Sequence, residues 1–318
     1  MENKSIPQNQ ASLGFHGIFR ESIKTTTRNW KLLLPILVIA ILSLSQLELS
    51  QDYIQLPFLN DLMLELAQNP AIHRNLGRKL DIIAYRGALD DILEILFVKQ
   101  LTLAFSSIIK LFFYVAIISS SYEAYTSKPS SPKGMFLKIR TSWKRALVTN
   151  ICLFLTYLAI LFLYLASYGI TNILVPDSWL YLFWGAINFS IPFSYIYVTT
   201  LWKVSMVVSV LDEGFCGFKA IGRATEIVKG KRLLLASVLM VPSVIVGAYV
   251  HHMVYSISML HLRRSTWMAI VIYLINGSDC ILNLFMFVVY SVFYHEGKAS
   301  LDQKEVKNLY RPIASGEV

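Results

Sequence analysis

Three charged side chains interrupt the long apolar runs of this chain: Lys110, Lys203 and Asp279. A charge inside such a run is costly to desolvate, so each needs a partner, water or a task. Lys203 lies near the end of its run, and its stem is long enough to snorkel toward water, which points to a structural role. Lys110 and Asp279 lie nearer the middle of runs that could meet. Their chemistry allows a structural ion pair or a transport site, and the ion pair is the plainer account, because transport usually recruits more polar groups. Asn276, Ser278 and Asn283 share the Asp279 neighbourhood. They could complete an intramembrane polar cluster of Lys110, Asp279 and Asn276, or simply hydrogen-bond between helices.

Little else has catalytic form. The sequence holds no phosphate-cradling glycine loop, no zinc-protease helix and no nucleophile elbow. The stretch Gly217 to Gly222 lacks a preceding strand and a third glycine. His251-His252 resembles a fragment of a histidine-rich metal box, but His16, His73, His261 and His295 are scattered. Cys152, Cys216 and Cys280 are widely spaced and imply neither a metal site nor a disulfide framework. No catalytic residue, metal site or cofactor is expected, and the chain is not expected to be an enzyme.

The elements that must position these residues are membrane spans. Hydrophobic residues make up 55% of the chain and charged residues 15%, with mean hydropathy +0.53. Several apolar runs approach or exceed the roughly 20 residues that a bilayer core requires. The expected fold class is an all-α integral membrane protein with six spans, at about 32–47, 95–121, 146–170, 179–210, 233–257 and 267–293. Residues 1–31 form an N-terminal arm and amphipathic helix, 32–293 the membrane domain and 294–318 a polar tail. The acidic stretch 48–94 reads as the one long hydrophilic connection, divided into two short helices at Asn69-Pro70. Pro35 falls in an opening turn, and Val175-Pro176-Asp177 makes a tight turn.

Charge distribution orients the spans. Five Lys and Arg residues precede the first span, six lie between Lys128 and Arg145, five between Lys219 and Arg232, and four in the tail. The opposite side carries five between positions 48 and 99 and then Arg263 and Arg264. The basic side is the cytosolic one, so both termini are expected in the cytosol. The net charge of +9 sits beside the spans, which favours the bilayer and its anionic headgroups as partners over nucleic acid.

The chain is organised around Trp202 to Arg232. A span ends there, breaks at Asp212-Glu213-Gly214, continues as an amphipathic helix and stops at Gly230-Lys231-Arg232, just before Leu233-Leu234-Leu235. Helical spacing places Phe215, Phe218, Ile221, Thr225 and Val228 on one side, with Lys219, Arg223 and Glu226 on the other. This is the pattern of a helix lying on a membrane surface. Phe215, Phe218 and Ile221 are the expected membrane-inserted face, and Lys219, Arg223, Lys229, Lys231 and Arg232 the expected headgroup contacts. Gly214 and Gly230 are the expected hinges.

The plan repeats. Gly14-Phe15-His16-Gly17 matches Gly214-Phe215-Cys216-Gly217, and both are followed by an amphipathic stretch and three leucines. In the first copy Phe15, Ile18, Phe19 and Ile23 face one way, and His16, Arg20 and Lys24 another. Met135 to Arg145 is a looser third copy, so surface helices are expected before spans one, three and five.

The stretch Val208-Ser209-Val210-Leu211-Asp212-Glu213-Gly214, followed by Gly217-Phe218-Lys219-Ala220, Arg223 and Glu226 to Lys231, resembles a plant family of six-span membrane proteins of unknown function. More remotely, it is similar to the bacterial multi-span domain named after the membrane part of glycerophosphoryl diester phosphodiesterases. Ala224 stands where the bacterial pattern has serine, and the 48–94 stretch departs from the bacterial form. The plant resemblance covers most of the chain, the bacterial one mainly 202–240. Neither implies catalysis, because the phosphodiesterase active site belongs to a separate soluble domain. The basic surface helices favour a non-enzymatic membrane scaffold or lipid-interacting factor, and the repeat, Pro192, Pro242 and the intramembrane charges leave a transporter or channel for a small solute as the alternative. The short first span suits a thin bilayer, which favours the endoplasmic reticulum over the plasma membrane.

Overall fold

The computed structural model describes residues 14–68, 86–126, 132–174, 179–260 and 265–310. They form eight helices: α1 (Phe15–Arg28), α2 (Trp30–Gln68), α3 (Arg86–Tyr125), α4 (Pro132–Leu174), α5 (Trp179–Leu211), α6 (Phe218–Val228), α7 (Lys231–Leu260) and α8 (Ser265–Tyr310). Among the described residues there is no strand. Six helices, all but the short α1 and α6, are long and apolar enough to cross a membrane. An apolar run of that length meets its backbone hydrogen bonds internally only as a helix, which is why these segments are helical throughout.

The helices outrun the apolar stretches. α2 continues past Leu47 through Glu48 and Asp52 to Gln68, and α3 starts at Arg86, so both ends of the acidic 48–94 stretch are helical. The Asn69-Pro70 and Val175-Pro176-Asp177 turns lie outside the described residues. α8 runs on into the polar tail. The third amphipathic piece, Met135 to Arg145, is not a separate helix: it forms the opening turns of α4. No glycine or proline separates it from the apolar run, so nothing in that sequence breaks the helix.

The chain divides into two compact units. Unit 1 comprises Met1–Ile36, Phe112–Tyr249 and Ile281–Val318; unit 2 comprises Leu37–Leu111 and Val250–Cys280.

In unit 1, α4 packs on α5, and α6 packs on both. Phe287, Val288, Tyr290 and Phe293 of α8 are buried there with Met206, Val207 and Val208 of α5. The Phe287 ring lies 4.5 Å from that of Tyr114 and 6.1 Å from that of Trp202, and Tyr290 Oη donates to the Ala236 carbonyl (3.0 Å). Lys203 does not snorkel. It is 2% exposed, donates to Asn283 Oδ1 at 2.7 Å and sits 4.7 Å above the Phe287 ring centroid. A hydrogen bond and a ring face together offset the cost of burying that ammonium. Asn283 therefore serves Lys203.

The junctions of the short helices are pinned. Asn29 ends α1, and its Nδ2 donates to the carbonyl (3.0 Å) and the hydroxyl of Ser120 on α3. Gly214, Gly217 and Gly230 flank α6 with φ of 98°, 55° and 73°, a region that side chains resist. Gly214 and Gly230 are the two hinges that the sequence anticipates. Gly217 marks where the internal repeat diverges: it caps α6, whereas its counterpart Gly17 lies inside α1.

Candidate functional site

Two constellations carry the polar chemistry, one in each unit. In unit 1 the turn after α5 is organised by Asp212. Tyr294 Oη donates to its Oδ2 and Lys298 Nζ to its Oδ1, both at 2.5 Å, and Arg145 Nη1 donates to its carbonyl at 2.8 Å. Tyr294 and Lys298 stand four residues apart on one face of α8, so one helix supplies both contacts. The Gly217 N–H donates to Thr149 Oγ1 (2.9 Å), tying the start of α6 to α4. Arg232 Nη2 donates to the Glu296 carbonyl (3.2 Å), tying the start of α7 to α8.

Both short helices of unit 1 bury one face, in which small residues sit beside branched aliphatic ones. α6 buries Ala220, Ala224, Ile227 and Val228, and α1 buries Ile18, Ser22 and Thr25. Small residues let backbones approach closely, which is how helices associate when bulk hydrophobicity gives no preference. Some large apolar groups remain exposed: Phe218 is 70% exposed, Ile23 46% and Phe19, whose ring lies 5.1 Å from that of Phe285, 37%. Phe215 and Ile221 are half-buried.

The expected headgroup residues separate into three groups. Lys219 and Lys229 are exposed. Arg223 pairs with Glu226 at 2.9 Å, and Arg232 is engaged by Glu296. The Lys231 side chain lies outside the described residues. Arg20 and Lys24 of α1 are exposed as well, so each short helix presents lysine or arginine beside exposed apolar side chains.

Unit 2 gathers polar side chains from α2, α3 and α8. Lys110 Nζ lies 3.4 Å from Asp279 Oδ2. Asn276 sits on the same face of α8 and donates from Nδ2 to Glu48 Oε2 at 2.8 Å. Gln51 Nε2 donates to Gln55 Oε1 (3.2 Å), and Gln55 Nε2 to the Ile95 carbonyl (2.9 Å). Glu48, Gln51, Asp52 and Gln55 have helical spacing on α2, as do Lys99, Thr102, Ser106 and Lys110 on α3. A cavity of about 350 Å³ lies among them, lined by Glu48, Gln51, Asp52, Lys99, Gln100, Thr102, Leu103, Ser106 and Ile272.

The α2 stripe is hidden because 48–94 resembles a hydrophilic connection, and the α3 stripe because Lys99, Thr102 and Ser106 fall inside a run that is apolar on average. The repeat of polar residues at 48, 51, 52 and 55 is the signal that could have revealed the first. The partners of Asp212 left no local signal beyond the four-residue spacing of Tyr294 and Lys298.

Among the described residues, no group of three or more His, Cys, Asp or Glu side chains could hold a metal ion. No curated protein and no solved structure matches the chain. Residues 4–308 match a family described as a domain of unknown function, DUF8558. With nearly its whole length matched, the chain belongs to the DUF8558 family.

Proposed function

We propose that this protein is a non-enzymatic multi-pass membrane protein that organises lipid at the cytosolic face of the endoplasmic reticulum, with both termini in the cytosol. The observation that carries this reading is the exposed side of α1 and α6. Each short helix buries one face, leaves Phe19, Ile23 or Phe218 exposed on the other, and sets Arg20, Lys24 or Lys219 beside them. A helix with exposed aromatics next to lysines suits the boundary between acyl chains and anionic headgroups. Each such basic residue contributes about 1 kcal/mol near an anionic surface. The likeness of the 202–240 stretch to a plant six-span family and to the phosphodiesterase membrane domain fits a shared surface element without shared catalysis.

The test is lipid binding by a variant with Lys219, Arg223 and Lys229 replaced by glutamine. Loss of anionic-lipid binding and altered membrane distribution are expected, and unchanged binding would remove the reading's main support. One observation favours a second reading, a transporter or channel for a small solute: the Lys110–Asp279 pair (3.4 Å) lies within candidate spans. Solute flux into liposomes that vanishes in Asp279→Asn would favour it over the scaffold.

A further inference from the structure

The cavity of unit 2 sits among helices whose outward faces are apolar. Leu56 of α2, and Phe97, Leu101 and Phe105 of α3, are exposed, while the cavity between these helices is lined by two carboxylates, an ammonium and four uncharged polar side chains. A polar hollow in such surroundings must be wetted or hold a polar ligand, because unsatisfied polar groups in a dry site are costly. The lining has both signs: Glu48 and Asp52 on α2, and Lys99 on α3. A bare anion would meet two carboxylates, and a bare cation would meet Lys99.

We propose that this cavity binds a zwitterion of the aminoalkyl phosphate class, its ammonium toward Glu48 and Asp52 and its phosphate toward Lys99. Glu48 is already oriented by Asn276, whose Nδ2 holds one of its oxygens at 2.8 Å, and the remaining carboxylate lone pairs can accept from an ammonium. Thr102 on the Lys99 stripe offers a hydroxyl donor for a phosphate oxygen. The volume of about 350 Å³ lies at the small end of ligand sites, which run from about 300 to 1,000 Å³. The chemistry has two sources, a phosphatidylethanolamine headgroup or a free aminoalkyl phosphate. The site lies in the unit that lacks α1 and α6, so the inference stands whether or not those helices bind anionic lipid.

The experiment titrates the purified full chain, in nonionic detergent, with dihexanoyl-phosphatidylethanolamine, dihexanoyl-phosphatidylglycerol and O-phosphoethanolamine. Phosphatidylethanolamine is expected to bind on the order of tenfold more tightly than phosphatidylglycerol, the loss that one unpaired charge causes. Combining Glu48→Gln with Asp52→Asn, or replacing Lys99 with glutamine, should each weaken phosphatidylethanolamine binding by a similar factor. Because the basic residues of α6 are proposed to bind anionic lipid, the two lipids are compared in a chain with Lys219, Arg223 and Lys229 replaced by glutamine, in which the preference for phosphatidylethanolamine is expected to persist. O-phosphoethanolamine that competes assigns the site to the headgroup chemistry alone; if it fails while the lipid binds, the site requires the lipid. Equal affinity for the two lipids in that background overturns the proposal, as does full phosphatidylethanolamine affinity in both cavity variants. Should the cavity variants not fold, the lipid preference of the chain lacking the basic α6 side chains decides alone.

Discussion

Ile227 of α6 rests directly on Gly297 of α8: a β-carbon built at Gly297 would lie 2.5 Å from Ile227 Cγ2 and 3.0 Å from Arg232 Nη1. Real side chains do not approach so closely. The glycine therefore sets how near the surface helix comes to the long helix beneath it. Gly297→Ala should lower the melting temperature in detergent, with a cost of about 1–3 kcal/mol for overpacking. Adding Ile227→Leu, which lacks the Cγ2 methyl, should recover part of that loss. Strict additivity of the two changes would mean that this contact does not fix the approach.

Asp212 joins the α5 turn to α8 through two different bonds. Asp212→Asn keeps an acceptor for Tyr294 but loses the ion pair with Lys298, a partly exposed partner whose contribution solvent screens. Asp212→Ala leaves the Tyr294 hydroxyl, in a residue 1% exposed, without that acceptor, at about 1–3 kcal/mol. The alanine variant should thus melt below the asparagine variant, and Lys298→Ala should change little. The reverse order would show that the ion pair dominates.

Lys110 and Asp279 should behave as a unit. Replacing either one by a neutral residue strands a charge within an apolar stretch, at about 2–3 kcal/mol on insertion scales. Exchanging the two, Lys110→Asp with Asp279→Lys, restores the pair. Folded yield in detergent-solubilised membranes should fall in each single variant and return in the exchange. An exchange variant no better than the singles would mean the pair does not stabilise unit 2.

The two faces of α6 predict two separable phenotypes. Ala220 and Ala224 are fully buried, so Ala224→Leu should destabilise the protein in detergent by about 1–3 kcal/mol. Phe218→Asp touches no packed face and should leave detergent stability within about 0.5 kcal/mol, while weakening association of this segment with lipid. Equal melting shifts in the two variants would assign Phe218 to the core.

The six apolar runs were legible in the sequence because most are continuous over about the length that a helix needs to cross a bilayer. The hinges were legible because Gly214 and Gly230 stand where an apolar run meets an amphipathic one. The packing faces were not. A helical wheel groups Phe215, Phe218 and Ile221 as the apolar side, and it does not say whether lipid or protein takes that side. Ala220 and Ala224 pack inward together with Ile227 and Val228, the last of which the wheel places on the apolar side. The unit 2 stripe was hidden for a different reason: Glu48, Gln51 and Asp52 lower local hydropathy enough to resemble a loop, although α2 carries them helically past the end of its apolar run. Asp212 meets Tyr294 and Lys298 across more than 80 residues, a pairing that only the fold supplies.

Whether α6 lies on the membrane with its aromatic side inserted is decided most directly by spin labels on adjacent positions. In a background with Cys152, Cys216 and Cys280 replaced by alanine, Phe218→Cys and Lys219→Cys variants would each be labelled in reconstituted bilayers. Relaxation would then be compared in dissolved oxygen, which concentrates in hydrocarbon, and in a water-soluble nickel chelate. The account predicts that position 218 responds chiefly to oxygen and position 219 chiefly to nickel. A label at 218 that responds to nickel as strongly as one at 219 would place the helix in water and contradict the account.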